Sequence, residues 1–286
     1  MGNSVNIQWY PGHMEKTRRQ MEERLKAVDM VIELRDARMP LASRNPLLID
    51  LAKDKPKLIV LTKMDMADDN ETKKWINKLS EEGNSCLALD LNHNNSASKK
   101  VIKEAINIME EKRSKQRAKG INPRAIRAMA CGIPNVGKST LINRIAKKNT
   151  AKAADKPGVT RSLTWIHADE ELELLDTPGV LWPKFSDEKT GVILAALGSI
   201  NDDILNQKSL AMDTIRIIQE LYPNYLENLY EIEKANPNEI LKRVAELRNF
   251  IKTNNELDTK RASEVFLYEL RKGKLGRFTL EHVEMQ

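Results

Sequence analysis

Short apolar runs alternate with amphipathic stretches over the first part of the chain. The runs "DMVIELRDAR", "KPKLIVLTKMD", "SCLALDLN" and "AIRAMAC" indicate buried strands, and "LTWIHAD" and "LELLDTPG" add two strand candidates joined by an acidic turn. Helical spacing occurs between them, in "MEKTRRQMEERLKAV", "NETKKWINKLSEEG", "KKVIKEAINIMEEKRSKQRAKG" and "KSTLINRIAKK". This alternation predicts an α/β fold with a doubly wound, mostly parallel sheet of about six strands.

The pattern changes after "WPKFSDEKTG", where apolar residues recur at helical spacing between Pro, Asn and Gly punctuation. The segments are "VILAALGSI", "SLAMDTIRIIQELY", "NYLENLYEIEKA", "NEILKRVAELRNFIK" and "RASEVFLYELRKG". We therefore predict two domains: an α/β domain with an N-terminal extension over residues 1–183, and an all-helical domain over residues 184–286.

Composition narrows the class of protein. The 286 residues are 41% hydrophobic, enough for a substantial core. Cys86 and Cys131 lie far apart without metal-ligand spacing, which argues against a disulfide framework or a zinc site and fits a reducing cytoplasm. No apolar run approaches the roughly 18 residues of a membrane span, so we expect a cytoplasmic location and no membrane partner.

A phosphate-binding motif lies near the middle of the chain. "GIPNVGKST", from Gly132 to Thr140, matches G-x-x-x-x-G-K-[ST] between a predicted strand and a predicted helix. We expect Lys138 to reach the outer phosphates and Ser139 to offer its hydroxyl to Mg²⁺, while the helix dipole faces the anion. The loop residues predicted to contact the nucleotide are Asn135, Val136, Gly137, Lys138, Ser139 and Thr140.

Two further stretches complete the predicted phosphate site. In "DTPG", Asp176 ends a predicted strand and can hold Mg²⁺ through water, and the Gly179 amide can meet a terminal phosphate. Between the two motifs, "DKPGVTRS" contains Thr160, a candidate switch threonine that would ligate Mg²⁺ and sense the terminal phosphate.

The base is predicted to be read by "TKMD", Thr62 to Asp65, at the end of the apolar run "KLIVL". The Asp65 carboxylate can accept both the ring N–H and the exocyclic NH₂ of guanine, an edge that adenine does not present. The stem of Lys63 can lie over the base. These features favour GTP and GDP, with an ATPase or nucleoside kinase as an alternative that nucleotide competition would test.

This order of motifs is permuted, because the base-reading motif precedes the phosphate loop. The chain resembles the circularly permuted GTPases, most closely the ribosome biogenesis GTPase A (YlqF) family, in "WYPGHM", "RDARMPLASRNP", "NPRAIRA", "GIPNVGKSTLINR", "PGVT" and "LLDTPGVLWPKF". The resemblance implies a circularly permuted P-loop GTPase domain, then a small helical RNA-binding domain. Alignment with the family places Asp90 and Leu91 by the base. The family usually has Asn where this chain has Thr62.

The resemblance also implies an activity: hydrolysis of GTP to GDP on a late precursor of the large ribosomal subunit. Val180 follows the "DTPG" glycine, where many GTPases have a water-orienting Gln, so intrinsic hydrolysis should be slow. The family points to His13 for water activation. Asn135 is similar to the asparagine that helps hold K⁺ in potassium-activated GTPases.

Positive charge is clustered although the net charge is only +6. The run from 112 to 127 contains no acidic residue, and its basic residues are candidates for contact with rRNA phosphates. They are Lys112, Arg113, Lys115, Arg117, Lys119, Arg124 and Arg127. We expect RNA rather than DNA as the partner. An alternative is an RNA-binding assembly factor in which GTP is a structural ligand and hydrolysis is incidental.

Overall fold

The computed structural model describes residues 13–93, 96–146, 164–182, 185, 187–253 and 255–285, with the backbone alone at 13–18, 164 and 285. The strands are β1 (Met30–Asp36), β2 (Lys57–Thr62), β3 (Ser85–Leu89), β4 (Ile126–Gly132), β5 (Thr164–Asp169) and β6 (Leu172–Asp176). The α-helices are α1 (His13–Leu25), α2 (Pro46–Leu51), α3 (Asp69–Glu81), α4 (Ala97–Ala118), α5 (Lys138–Ile145), α6 (Glu188–Ala196), α7 (Gln207–Leu221), α8 (Tyr225–Leu229), α9 (Pro237–Leu247) and α10 (Thr259–Arg271).

The described strands form one six-stranded sheet in the order β3-β2-β1-β4-β6-β5. Neighbours pair in parallel except at the β5 edge, where β5 runs antiparallel to β6. The sheet confirms the predicted doubly wound, mostly parallel α/β fold. The central strand β1 is buried on both faces, as expected for a strand that is covered on both sides.

Helices cover the two faces of the sheet. Buried residues of α4 and α5, including Val101 and Leu141, share one core with Ile32 of β1. On the opposite face, α1 packs Met21 against β1 and β4, and α3 packs Trp75 against β2. The first core continues into the helices after β6, so apolar packing links the two halves of the chain.

The regular elements that the structure describes after β6 are helices. The predicted helix "NYLENLYEIEKA" is shorter than expected and ends at Leu229, because Glu231 adopts a left-handed backbone conformation with φ 51°. Asn236 and Pro237 then begin α9, with Asn236 and Glu239 forming a capping box. The predicted boundary between domains, 183/184, lies outside the described residues.

The final residues return to the α/β half of the molecule. Leu280 N donates to Arg38 O at 2.7 Å, and Trp75 Nε1 donates to Glu281 O at 2.7 Å. The buried Glu281 carboxylate accepts hydrogen bonds from the backbone N–H groups of Leu41 and Ala42. The C-terminal segment is therefore part of the packing around β1 and β2. No helix in the described ranges is long and apolar enough to span a membrane.

Candidate nucleotide-binding site

The predicted motifs meet at one edge of the sheet. Asp36, Thr62, Gly132 and Asp176 are the last residues of β1, β2, β4 and β6, which run in parallel. Ligands of open α/β sheets bind outside the carboxyl ends of the strands, next to the point where the strand order reverses. The order of motifs is permuted in the sequence, but the fold brings the base and phosphate motifs together.

The phosphate loop connects β4 to α5. Gly137, at the N-cap of α5, has φ 97°, a conformation that favours glycine, and Asn135 has φ 59°. Val136 is buried, and Ser139 and Thr140 are half-buried in the first turn of the helix. Thr62 Oγ1 lies 2.5 Å from Val136 O and 3.1 Å from Arg35 O, so it joins the end of β2 to the loop.

Lys138 and Asp176 form a buried ion pair across the site. Lys138 Nζ donates to Asp176 Oδ1, and each side chain is only 6% exposed. Such a pair is stable only while both partners remain, because either charge alone would be costly to bury. The two residues that the sequence assigned to phosphate and Mg²⁺ are thus adjacent.

Gly179 packs directly on the phosphate loop. A Cβ at Gly179 would lie 2.9 Å from both the N and Cα of Pro134, closer than side chains tolerate. The next residue, Val180, is buried in the core beneath β4, and its carbonyl accepts a 2.7 Å hydrogen bond from Asn45 Nδ2. Its side chain therefore has a packing role.

On the base side, one oxygen atom of a carboxylate has no donor among the described residues. Asp65 Oδ1 is buried, and no hydrogen-bond donor within the described residues reaches it. Burial, with the nearby Asp90 charge, raises the pKa of Asp65. Asp90 itself is held by the backbone N–H groups of Asn92 and His93, at 2.7 and 2.9 Å. Leu91 lies beside Gly137, so the predicted base-side residues converge.

Lys63 spans the base side and the phosphate loop. Its backbone is left-handed, with φ 56°, which is unusual for a residue with a side chain. Lys63 Nζ donates to Asn135 O at 2.7 Å and pairs with Asp36 Oδ2 at 2.9 Å. The stem of the lysine is thereby fixed between the two motifs.

Asp36 and Arg38 support Lys63, and the sequence reasoning gave them no role. Although burial alone would raise it, the charges of Arg38 and Lys63 hold the pKa of Asp36 well below its usual range. Arg38 contacts both Asp36 oxygens and also donates to the carbonyls of Leu270 and Arg271 at the end of α10. The charged residues at the end of a buried strand, in "RDAR", were the signal in the sequence that could have indicated this role.

The Asn135 side chain points toward the helical half of the molecule. Asn135 Nδ2 donates to Gly198 O, just after α6, at 2.7 Å. Its predicted part in holding K⁺ stays a prediction. Thr160 lies outside the described residues, as does the side chain of His13, so their predicted roles also stay predictions.

The run of basic residues on α4 and before β4 is largely paired with carboxylates. Arg113 is buried and contacts Glu171, and Asp29 accepts from both Lys112 and Arg124. The remaining ion pairs are Lys115 with Glu111, Arg117 with Glu110, and Arg127 with Glu173. Lys119 is exposed. The positive surface is therefore weaker than the sequence count suggests, and Arg113 offers little surface to RNA.

Comparisons with known proteins identify the family. A family model described as "50S ribosome-binding GTPase" matches residues 127–248. Ribosome biogenesis GTPase A of Bacillus cereus is 49% identical over 286 residues, covering 97% of this chain and 94% of that protein. This chain belongs to the ribosome biogenesis GTPase A family. The Bacillus licheniformis member is 44% identical, covering 97% and 99% of the two chains.

Membership of the ribosome biogenesis GTPase A family makes the protein a GTP-binding GTPase, with the Mg²⁺ dependence typical of that domain. The GDP-bound structure of YlqF from Thermotoga maritima matches with a TM-score of 0.68 at 25% identity, over 93% of this chain and 99% of that one. The resemblance and the circularly permuted fold are confirmed. The residues matched by the family model begin at β4 and so leave out Thr62 to Asp65.

Proposed function

We propose that this site binds GTP and GDP through Asp65 and the phosphate loop. The buried Asp65 Oδ1, which has no donor within the described ranges, is the observation that supports guanine, because the ring N–H and amino group of that base would supply the missing donors. Thr62, Lys63, Asp90 and Leu91 would complete the base side. Asparagine in place of Asp65 tests this role, since it should remove the preference for GDP over inosine diphosphate (IDP), which lacks the 2-amino group.

On the phosphate side, Lys138 would leave Asp176 to neutralise the outer phosphates, and the amides from Asn135 to Thr140 would bind the remaining oxygens. The donor set fits Mg²⁺, which prefers oxygen ligands: the Ser139 hydroxyl, the Asp176 carboxylate and the predicted Thr160. The ion would neutralise charge that develops on the phosphates during hydrolysis. Asp176 is already positioned at the loop by its contact with Lys138.

Water attack on the terminal phosphorus releases GDP and inorganic phosphate, and Val180 cannot orient that water. We therefore assign water activation to His13, and placement of a K⁺ ion to Asn135. Missing activators of this kind change hydrolysis rates by roughly 10³ to 10⁵. The low intrinsic rate would keep the GTP form intact until a partner completes the site.

The partner would be a late precursor of the large ribosomal subunit and its rRNA, in the cytoplasm. The names of the family model and the relatives support a ribosomal partner. The GTPase domain would comprise residues 1–183 and a helical RNA-binding domain residues 184–286. Lys119 and the exposed members of the basic run would contact phosphates.

The deciding experiment is the GTP hydrolysis rate of the purified protein, alone and with large ribosomal subunits, each in potassium and in sodium buffer. We expect the subunit to raise the rate by orders of magnitude, and sodium to lower it. A rate that is slow and equal in all four conditions would reject the ribosome-activated switch. A rate insensitive to the cation would reject only the assignment of K⁺ to Asn135.

Val180 favours a second candidate: an RNA-binding assembly factor for which GTP is a structural ligand. Its burial gives that position a packing role rather than a catalytic one. A His13→Ala variant separates the two functions. If hydrolysis is required for release, the variant should remain bound to precursor particles. If GTP is only structural, particles should form and release the variant as they do the wild type.

A further inference from the structure

The loop that carries Asp65 is held from outside by an arginine near the C-terminus. Arg277 Nη2 donates to Met64 O and Arg277 Nε donates to Ala67 O, both at 2.8 Å. The same guanidinium forms two 2.6 Å hydrogen bonds with the Asp69 carboxylate. Arg277 therefore binds the backbone on both sides of Asp65.

Neighbouring residues extend this contact. Phe278 N donates to Met66 O at 3.1 Å, and Asp68 N donates to Thr279 Oγ1 at 3.2 Å. The base-side loop thus receives successive hydrogen bonds from a segment more than 200 residues away in sequence. These bonds position the loop backbone while leaving Asp65 Oδ1 available.

The Asp65 carboxylate follows the position of this backbone, because its side chain is short and no described residue donates to its Oδ1 atom. A carboxylate that reads guanine must meet two parallel N–H groups, and displacement of the loop would weaken both bonds. The exocyclic amino group is the donor that distinguishes guanine from hypoxanthine. Discrimination between these bases therefore reports on the placement of the loop.

We propose that Arg277 is a positioning residue for base selection. By holding the loop that carries Asp65, it favours nucleotides whose purine carries a 2-amino group. The proposal rests on the proposed role of Asp65. Arg277 does not touch the base; it acts through Met64 and Ala67. The C-terminal segment then contributes to nucleotide binding by positioning the loop that carries Asp65.

Arg271 provides a matched control. It forms two hydrogen bonds with Asp202, at 2.6 and 2.8 Å, and donates to the carbonyls of Ala195 and Ala196 at 2.9 Å. This set of contacts has the same form as that of Arg277, but it holds the end of α6, which meets the site at Asn135 of the phosphate loop through Gly198 O. That loop would bind the phosphates of GDP and IDP alike, and the backbone carbonyl that accepts from Arg38 remains in Arg271→Ala. Loss of either arginine removes comparable contacts, while only Arg277 reaches the residues beside Asp65.

The test measures dissociation constants of GDP and IDP by competition with a fluorescent GDP analogue on the full chain. In Arg277→Ala, we expect the preference for GDP over IDP to fall about tenfold, the scale of one hydrogen bond to a charged group. In Arg271→Ala, the preference should equal that of the wild type. An unchanged preference in Arg277→Ala, or an equal fall in Arg271→Ala, would overturn the proposal.

Two further variants, Arg277→Lys and Asp65→Asn, distinguish a failure of folding from a failure of the proposal. Arg277→Lys retains the charge but cannot reach both carbonyls and Asp69 together, so its preference should be reduced. If Arg277→Ala does not fold, the lysine variant decides, and a wild-type preference there overturns the proposal. Asp65→Asn separates the two ideas: if it keeps the GDP preference, the role of Asp65 fails. If it loses the preference and the Arg277 variants keep it, only Arg277 is rejected.

Discussion

The phosphate loop is one short stretch of chain, Gly132–Thr140, whereas the base side is assembled from distant stretches. The phosphate loop takes its shape from its own glycines and the helix that follows it. The loop after Thr62 depends on Asp36, Arg38 and the segment around Arg277. The phosphate loop can therefore be recognised from its sequence motif alone. The position of the loop after Thr62 depends on contacts with residues that are distant in the sequence.

A substitution on the phosphate side should cause a large loss of activity, and that loss should come mainly from the altered side chain itself. In Lys138→Met the ammonium is lost and Asp176 stays buried without a partner. GTP hydrolysis should fall about 10³-fold, as when a transition-state donor is removed. The free energy of unfolding without nucleotide should fall by about 3–5 kcal/mol. Single-turnover hydrolysis and chemical denaturation measure the two effects.

A paired substitution separates folding from chemistry at Lys138. Adding Asp176→Asn to Lys138→Met removes the stranded charge, so stability should recover while hydrolysis stays low. Hydrolysis by Lys138→Met within about tenfold of the wild type would contradict the assigned role of the lysine.

The C-terminal segment, which also holds the base-side loop, should make the free energy of unfolding depend on pH through Glu281. Burial raises the pKa of Glu281 to about 7, although hydrogen bonds from Leu41 and Ala42 and the charge of Lys189 oppose this rise. The folded state thus holds a proton that the unfolded state loses near pH 4.5. The resulting stability is fully present below pH 4.5 and is lost as pH rises to about 7.

The measurement is the free energy of unfolding of the wild type and of Glu281→Gln between pH 5 and pH 8. The amide stays neutral, so the wild type should lose up to about 3 kcal/mol relative to the variant across this range. Parallel curves for the two proteins would show that Glu281 is ionised throughout and would contradict this prediction.

The contact between Gly179 and Pro134 offers an intermediate test, because it lies where the phosphate loop meets the last strand. A Cβ at Gly179 would overlap Pro134, so Gly179→Ala must push the "DTPG" turn away from the loop. Forced packing of this kind costs about 1–3 kcal/mol. We expect calorimetric titration with GTP to show weaker binding in Gly179→Ala. Wild-type affinity would show that the turn and the loop move independently.

Sequence reasoning succeeded where the determinants are local. The alternation of apolar runs with amphipathic stretches predicted the parallel sheet, and the phosphate motif predicted the loop before α5. The permuted order of motifs indicated the family. The same reasoning assigned base reading to Asp65, because its motif follows an apolar strand, and that role stays a prediction. It missed Arg38 and Arg277, which donate to backbone carbonyls more than 200 residues away along the chain. Nothing in the periodicity of "GRF" indicates contact with the loop after Thr62.

The predictions of a strongly basic surface and of a longer α8 were wrong for related reasons. The run from 112 to 127 contains no acidic residue, but folding brings two carboxylates beside it: Asp29, just before β1, and Glu171, in the turn before β6. Helical spacing continues past Leu229, but the left-handed Glu231 ends that element. Asp29 and Glu171 come from distant parts of the chain, whereas Glu110 and Glu111 pair with the run from within α4. Hydrophobic spacing reports neither these ion pairs nor the backbone conformation of a single residue.

Thr62 is where the two sides of the site meet, and it should give the smallest effect. Thr62→Val keeps the shape but removes the hydroxyl beside Val136 O and Arg35 O in a buried position. Stability should fall by about 1–2 kcal/mol, the cost of one lost buried hydrogen bond. GDP affinity should fall by less than about tenfold, because Lys63 Nζ still joins the base side to the loop at Asn135 O.

Thr214 gives the matched control for Thr62. Its hydroxyl donates to Leu210 O at 2.7 Å inside α7, and the residue is fully buried. Thr214→Val loses a comparable bond away from the site, so it should leave GDP affinity unchanged. Equal losses of affinity in both variants would mean that nucleotide binding follows overall stability. A loss confined to Thr62→Val would mean that the hydroxyl aligns the base-side loop with the phosphate loop, so that the two sides bind one nucleotide as a unit.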